Sequence, residues 1–430
     1  MKVQNRATSA RVFIVVAALL CGIGVVFPGL AHASAIEGFV EGAYAYRTQE
    51  DITRKDSFNL LEGRLQLKGL YSPPLMEEWS PELGLKAELV ADGFEDRLRL
   101  KVREAALAFT PLDIMDVKLG RQILTWGTGD LLFVNDLFPK DYVSFFIGRD
   151  NEYLKVPSDA MRVSLFFEAL SMDIVAIPFL EPNNSVTGDR LSFFDGLSGA
   201  LVGDEAGREF IEPDEKPENM ELALRAYRTL RRYEVALYFF RGFFKEPRGI
   251  LDATKREFFY PRLSVYGLSL RGPLLGGIGS FEAGYYDSRE DRSGSDPVVQ
   301  NSSIKYLLGY TRDLGGDRSI GLQYLAGQML HNASYREALA PGEPVRDEFR
   351  HLLTLRFTKL FWAQTINAGI FVFFSPSDMD AYLRPSLGYK VSDNLKVTTG
   401  ANIFMGRDEF TDFGSFTRND NIYMRVRYSF

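Results

Sequence analysis

The chain has 430 residues, of which 46% are hydrophobic and 13% aromatic, and it carries 57 acidic against 50 basic residues. The formal net charge of −7 argues against a nucleic-acid partner, which requires a basic surface. Cys21 is the only cysteine, which excludes disulfides, iron-sulfur clusters and a Cys-x-x-Cys-His haem attachment.

The N-terminus has the pattern of a secretory signal peptide. Three basic residues precede an apolar run over 12–26, and Ala31-His32-Ala33 then supplies the small-x-small site of a signal peptidase. We therefore predict a cleaved signal peptide over 1–33 and a mature chain over 34–430, without Cys21. An uncleaved anchor is the alternative, although the run is short for a membrane helix.

Beyond the signal peptide, hydrophobic residues alternate with a period of two. Met161, Val163 and Leu165, for example, alternate with Arg162 and Ser164, which predicts a strand. Strands in hydrocarbon must pair every backbone polar group, so they have to close into a barrel. We predict an all-β, transmembrane antiparallel β-barrel of about 18 strands. These are expected at 37–48, 57–70, 82–91, 97–110, 115–126, 159–168, 170–179, 218–229, 233–244, 259–271, 278–288, 300–312, 317–331, 347–360, 364–374, 380–390, 394–406 and 420–430.

The connections between these strands alternate in length. The long ones are 127–158, 180–217, 245–258, 289–299, 332–346 and 407–419. Outer-membrane barrels have long external loops and short periplasmic turns, so the pattern predicts an N-terminus in the periplasm. Acidic residues are frequent in 180–217; they are expected to be solvated or to bridge lipopolysaccharide through divalent cations.

The second strand shows what lines the interior. Leu61, Gly63 and Leu65 face one way, and Glu62 and Arg64 face the other. An arginine on the lipid side costs about 2–4 kcal/mol at mid-membrane, so bases are assigned inward. The predicted inward bases are Arg64, Lys68, Arg99, Lys101, Arg103, Arg162, Arg225, Arg356, Arg384, Lys396, Arg425 and Arg427. A basic wall favours anions, unless acids of an infolded loop neutralise it.

A short motif follows in the fifth strand, Gly120-Arg121-Gln122-Ile123-Leu124-Thr125-Trp126-Gly127. It resembles the Gly-Arg-Gln, three residues, aromatic-Gly segment of the bacterial alginate-export and porin-like barrel families. The resemblance implies an eighteen-stranded barrel with an arginine-rich anion path, and it singles out Gly120, Arg121, Gln122, Trp126 and Gly127. Strict alternation points Arg121 at lipid, so we expect a bulge or an early end of the membrane zone there. Trp126 is expected at the membrane interface.

The third outer connection, residues 127–158, is too apolar to stand in water. Folding into the lumen would bury its Leu, Val and Phe side chains and narrow the pore. Its charged residues would then pair with the basic wall and form a constriction; they include Asp136, Lys140, Asp141, Arg149 and Asp150. A hydrophobic loop that binds another protein is the alternative.

An enzyme is not expected. The mature chain has two histidines, His331 and His351, with Ser334 and Asp347 nearby in sequence. This spacing does not by itself assemble a nucleophile, a base and an orienting group. We predict no catalytic residue, no metal ligand and no cofactor.

The last strand alternates Ile422, Met424, Val426 and Tyr428 with polar residues and ends on Phe430. It resembles the C-terminal signal by which bacterial outer-membrane barrels are recognised and inserted by the assembly machinery. Two functions compete: a channel for small anions or acidic saccharides, and a sheath that docks another protein, such as a multihaem cytochrome. No homotrimer signal is identifiable.

Overall fold

The computed structural model describes residues 36–50, 57–73, 77–203, 206–341 and 345–430. The predicted signal peptide over 1–33 lies outside these residues. The strands in chain order are β1 (Ile36–Arg47), β2 (Phe58–Tyr71), β3 (Glu82–Asp92), β4 (Arg97–Leu112), β5 (Met115–Ile123), β6 (Pro157–Phe166), β7 (Ser171–Ile177), β8 (Phe193–Asp195), β9 (Ala200–Val202), β10 (Glu209–Ile211), β11 (Glu221–Leu230), β12 (Tyr233–Phe243), β13 (Gly249–Asp252), β14 (Glu257–Phe259), β15 (Arg262–Leu274), β16 (Gly277–Ser288), β17 (Ser303–Asp313), β18 (Arg318–Met329), β19 (Phe349–Phe361), β20 (Ile366–Ser375), β21 (Asp380–Lys390), β22 (Leu395–Gly406) and β23 (Asn421–Ser429).

Eighteen of these strands form one sheet, from which only β8 to β10, β13 and β14 are absent. Each strand pairs antiparallel with its neighbours in chain order, and β1 pairs with β23, which closes the sheet into a barrel. The seam ends on two backbone hydrogen bonds of 2.9 Å between Gly38 and Phe430. The predicted all-β antiparallel barrel of 18 strands is therefore confirmed.

The five remaining strands are short and lie in the long connections. So do two short helices, α1 (Tyr142–Phe146) and α2 (Asn332–Ala338). Within the described ranges, no helix has both the length and the apolar character needed to cross a membrane.

The two faces of the sheet differ in chemistry, as the period of two predicts. Large apolar side chains stand exposed on the outer face; Leu98, Leu100 and Leu237 are 64%, 73% and 60% exposed. The inner face carries most of the strands' charged residues, and Glu62, Arg64 and Glu88 are almost fully buried there. An apolar exterior around a polar interior is the surface that a bilayer requires of a barrel.

A β-bulge in β4 alters this alternation at one point. Ala87 of β3 opposes Val102, whereas its neighbour Lys86 opposes Glu104, so Arg103 is the extra residue. Arg103 and Glu104 consequently both point to the inner face. Arg103 lies 3.8 Å from Glu88, and Glu104 pairs with Lys118. This bulge lies in β4, whereas the sequence predicted a bulge or an early end of the membrane zone at Arg121 of β5.

The closure of the barrel yields a first testable prediction. A Cβ atom at Gly38 would lie 2.5 Å from the Gln66 carbonyl oxygen and 2.8 Å from the Phe430 ring, so Gly38→Val must displace the seam. We expect a loss of about 1–3 kcal/mol and a smaller folded fraction, measured as the heat-modifiable band on a gel. Gly69→Val is the matched control, because no heavy atom lies within 4 Å of that position. Equal folding of both variants would contradict the expected strain.

Candidate functional site

The third outer connection lies inside the barrel and touches opposite walls. Near its start, the Thr128 hydroxyl donates to Glu282 of β16 at 2.9 Å. Near its end, Arg149 donates to Glu62 of β2 at 3.0 Å. The connection therefore crosses the lumen as a strap held on both sides.

Apolar packing secures the middle of the strap. Phe145 and Phe146 of α1 pack edge-on against Tyr382 with ring centroids 5.7 and 5.5 Å apart. Phe373 and Phe404 complete this group, which we call the aromatic plug, and all five side chains are buried. The Tyr382 hydroxyl also donates to the Phe145 carbonyl at 3.2 Å. The plug packs the strap against β20, β21 and β22, and it explains why the sequence of 127–158 is so apolar.

A cluster of buried charges lies beside the plug, and we call it the lumenal ion cluster: Glu62, Arg64, Glu88, Arg149 and Tyr153. Arg149 and Arg64 both donate to Glu62, at 3.0 and 3.2 Å, and Arg64 also pairs with Glu88. The Arg64 guanidinium lies 4.0 Å from the centre of the Tyr153 ring. All four charged side chains are at most 8% exposed. Buried charges persist only when paired, so this cluster fixes the strap to β2 and β3.

Three consecutive strap residues meet inward arginines on the opposite side of the seam. Asp150 accepts from Arg425 at 2.8 Å, and Asn151 accepts from Arg384 at 3.0 Å. Glu152 accepts from Arg427 at 3.1 Å. Burial opposes the charge on Asp150, but Arg425 and Arg427 outweigh it and lower the pKa of that carboxyl. Asp150 is therefore an anion at neutral pH and neutralises part of the basic wall.

The bulge residue Arg103 adds a further contact to the strap. Its guanidinium donates to the backbone carbonyls of Glu152 and Lys155, both at 3.0 Å. A regular strand would not present Arg103 and Glu104 to the same face. The bulge thus adds one arginine to the inner wall, and this arginine binds the backbone of the strap.

Asp136, Lys140 and Asp141 form contacts within the strap rather than with the wall. Asp136 and Lys140 form a buried ion pair of 3.0 Å. Asp141 caps α1 by accepting from the Ser144 amide at 2.7 Å. Of the five residues predicted to form a constriction, Arg149 and Asp150 reach the wall.

The other bases assigned inward lie on the inner face with looser surroundings. Arg225 pairs with Glu234 at 2.9 Å, and Lys68 lies 3.6 Å from Glu37 while 44% exposed. Arg99 pairs with Glu95 in the adjoining turn. The remaining three are identified by their cross-strand partners: Lys101 opposite Glu88, Arg162 opposite Lys118, and Lys396 opposite Arg427.

The inner wall also carries acidic residues that the sequence analysis did not assign to it. Glu41 pairs with Arg427 at 2.8 Å, and Asp173 lies 3.7 Å from Arg225. Glu104 pairs with Lys118, and Glu282 accepts hydrogen bonds from the strap. The wall is consequently less basic than the alternation pattern predicted.

A narrow polar cleft remains between the start of the strap and the wall strands β15 to β20, and we call it the Arg271–Arg356 cleft. Arg356 pairs with Asp130 of the strap at 2.7 Å, and Arg271, Thr128 and Gln323 also line it. Its volume is about 40 Å³, room for a few water molecules. Arg271 lies two residues beyond Ser269 in β15 and therefore on the same inner face. It was not among the predicted inward bases, because it is the last residue of the predicted strand, where alternation is hardest to interpret.

The motif residues contribute structure at the entrance to the strap. Gly120 has φ +113°, and a Cβ atom there would collide with the Ala105 carbonyl. Gly127 has φ +80° beside the Glu282 carboxylate. The buried Gln122 side chain donates to the Ala160 carbonyl at 3.0 Å. Trp126 packs on Phe138 and Tyr238, inside the barrel, so the expectation of an interfacial tryptophan was wrong.

Arg121 lies on the outer face, as strict alternation requires. It opposes Asp159 across β5 and β6 and pairs with that carboxylate at 2.8 Å, with Glu181 3.8 Å away. β5 ends two residues later, at Ile123. Local ion pairing and the early strand end together allow an arginine on this face.

The two histidines are apart from these features. His351 lies on the outer face of β19, where its Nδ1 and the Tyr324 hydroxyl are 2.8 Å apart. His331 precedes α2 in a left-handed conformation. Within the described part of the chain, no group of three or more His, Cys, Asp or Glu side chains could hold a metal ion.

Comparison with known proteins identifies the fold. The chain superimposes on Acinetobacter baumannii OccAB4 with a TM-score of 0.55 and 11% identity, over 92% of this chain and 97% of that one. It superimposes on Pseudomonas aeruginosa OccK11 (OpdR) with a TM-score of 0.52 and 12% identity, over 94% and 99% of the two chains. No protein-family model and no curated protein matches the sequence. At these identities, the likeness establishes a porin-like barrel fold.

Proposed function

We propose that this chain is an outer-membrane channel for small hydrophilic solutes, with a preference for anions such as acidic saccharides. The observation that carries the proposal is a closed barrel with an apolar exterior and a charged lumen crossed by a strap. A signal peptide would export the chain, and β23 with Phe430 would direct its insertion by the barrel-assembly machinery. The N-terminus then lies in the periplasm, and the long loops meet lipopolysaccharide.

The distribution of unpaired charge supports the anion preference. Most inner-wall carboxylates are matched by bases, as Glu88 is by Arg64. Among the described residues, the inward bases without a carboxylate within ion-pairing distance include Lys101, Arg162, Arg271, Lys305, Arg384 and Lys396. Unmatched bases in a confined aqueous path raise the local concentration of anions.

The sheath hypothesis is less well supported. A barrel that houses another protein needs an open bore, whereas the strap and the aromatic plug occupy this one. The packing of the third outer connection against inner-wall residues also leaves its apolar side chains unavailable as a docking loop. A passage limited to small solutes fits both observations.

Planar-bilayer recording of the purified mature chain under a salt gradient tests the proposal. We expect discrete conductance steps and a reversal potential of the sign produced by anion selectivity, strongest at low ionic strength because salt screens the wall charges. A reversal potential of the opposite sign would reject the anion preference. Absence of conductance from correctly folded protein would reject the channel itself.

A further inference from the structure

The outer face of the barrel carries an apolar groove of about 710 Å³ that spans β15 to β20. The outward side chains that line it include Leu274, Phe281, Leu308, Leu322, Leu355 and Phe374. Leu308 and Leu322 are 53% and 46% exposed, so the groove is open to its surroundings. A concave apolar channel of this size accommodates a hydrocarbon chain in a defined position.

Three bases lie on the same outward face at the short-turn end of the groove. Arg312 is two residues beyond Tyr310 in β17, Arg318 is four residues before Leu322 in β18, and Lys359 is four residues beyond Leu355 in β19. Even spacing along a strand keeps a side chain on one face, so the three bases continue the faces that line the groove.

The three bases form a patch of like charge without carboxylate partners. Arg318 and Lys359 are direct cross-strand partners, and like charges opposite one another destabilise a sheet. Within the described ranges, no carboxylate lies within ion-pairing distance of Arg312, Arg318 or Lys359. The two nearby acids have other hydrogen bonds: Asp313 accepts from the Gly315 amide at 2.7 Å, and Asp317 accepts from the Gln364 amide group at 3.3 Å.

We infer that this surface binds one anionic phospholipid, with an acyl chain in the groove and the phosphate between Arg312, Arg318 and Lys359. Guanidinium groups match phosphate oxygens in geometry and charge, and bases at a membrane surface select anionic headgroups. The inference rests on the proposed membrane location, which places the short turns, and hence this site, at the periplasmic leaflet. A second copy of the chain could occupy the same surface only if it placed anionic groups opposite these three bases.

Lipid binding to the purified mature chain in detergent tests the inference. The protein is titrated with dioleoyl phosphatidylglycerol or dioleoyl phosphatidylcholine, and bound lipid is counted by native mass spectrometry. We expect one retained lipid and an apparent affinity for phosphatidylglycerol at least about fivefold higher. The double variant Arg312→Gln/Lys359→Gln should lose that preference, whereas Arg228→Gln should retain it, because Arg228 is an exposed outward base of β11 away from the groove.

The outcomes separate this inference from the proposed function. All variants alter the exterior, so heat-modifiable mobility and conductance should equal those of the parent protein. Equal affinity for the two lipids, or an equal loss in the Arg228 control, would overturn the lipid site while leaving the channel intact. A change of oligomeric state in the double variant without a change in lipid preference would also overturn it and would assign the groove to a second copy. Lipid preference without conductance would uphold the site and reject the channel.

Discussion

Replacing Glu62 with glutamine is expected to destabilise the folded barrel by about 3–5 kcal/mol, because it leaves two buried guanidinium groups without their shared carboxylate. Arg149 would retain one hydrogen bond, to the Ser144 hydroxyl at 2.9 Å, and Arg64 would retain Glu88. The strap would then lose its anchor on β2. Equilibrium unfolding in urea should report the loss of stability, and single-channel recording should show higher and noisier conductance.

A matched control separates the anchor from a general effect of removing charge. Glu37 is also an inner-face glutamate, but its side chain is 68% exposed and its partner Lys68 is 3.6 Å away. Glu37→Gln should therefore change the free energy of unfolding by no more than about 1 kcal/mol. Similar losses in the two variants would contradict the role of burial in the cluster.

A double-mutant cycle with Arg149→Gln then tests the pairing directly. Glu62 and Arg149 share a bidentate contact, so their effects should be coupled by about 0.5–3 kcal/mol. Additive effects would indicate that Arg64, rather than Arg149, determines the cost of losing Glu62. The conductance of the double variant should remain high, because it restores charge balance but not the anchor.

The architecture could be predicted from the sequence because a barrel wall imposes one rule on every strand. Alternation placed all 18 barrel strands, with small errors at their ends, such as β5 ending at Ile123 rather than at 126. The period of two also assigned Arg64, Arg356 and Arg425 to the inner face. These successes depend only on local pattern and on the contrast between lipid and water.

The contacts of the site depend on long-range geometry and could not be predicted in the same way. Asp150 and Arg425 are 275 positions apart in the chain, and no local pattern pairs them. Trp126 was misplaced because alternation cannot show that a strand has ended and its chain has turned inward. Glu88 and Glu282 are buried wall acids that the sequence analysis did not name, although the same alternation identifies both.

The selectivity of the pore should depend most on the Arg271–Arg356 cleft. Arg271 lines this cleft and has no carboxylate within ion-pairing distance among the described residues, whereas Arg356 is already neutralised by Asp130. Arg271→Glu is therefore expected to convert anion preference into cation preference, and Arg356→Gln should have a smaller effect. At 4 Å in water a unit charge changes the energy of an ion by about 1 kcal/mol, so reversing the charge disfavours the anion and favours the cation by about 2 kcal/mol each, roughly a 30-fold change in the local concentration of either ion.

Reversal potentials at about 0.1 M salt, where the screening length is about 10 Å, measure this shift directly. Arg228→Glu provides the control, because it makes the same charge reversal on the outer face. Arg271 opposes Glu234 across β12 and β15, and Glu234 pairs with Arg225, so the new carboxylate would add to an existing acid and increase the attraction for cations. If Arg271→Glu and Arg228→Glu shifted the reversal potential equally, long-range charge rather than the cleft would set selectivity. An unchanged anion-to-cation permeability ratio in Arg271→Glu would indicate that other unpaired inward bases determine selectivity, and Lys101 and Arg162 would be tested next.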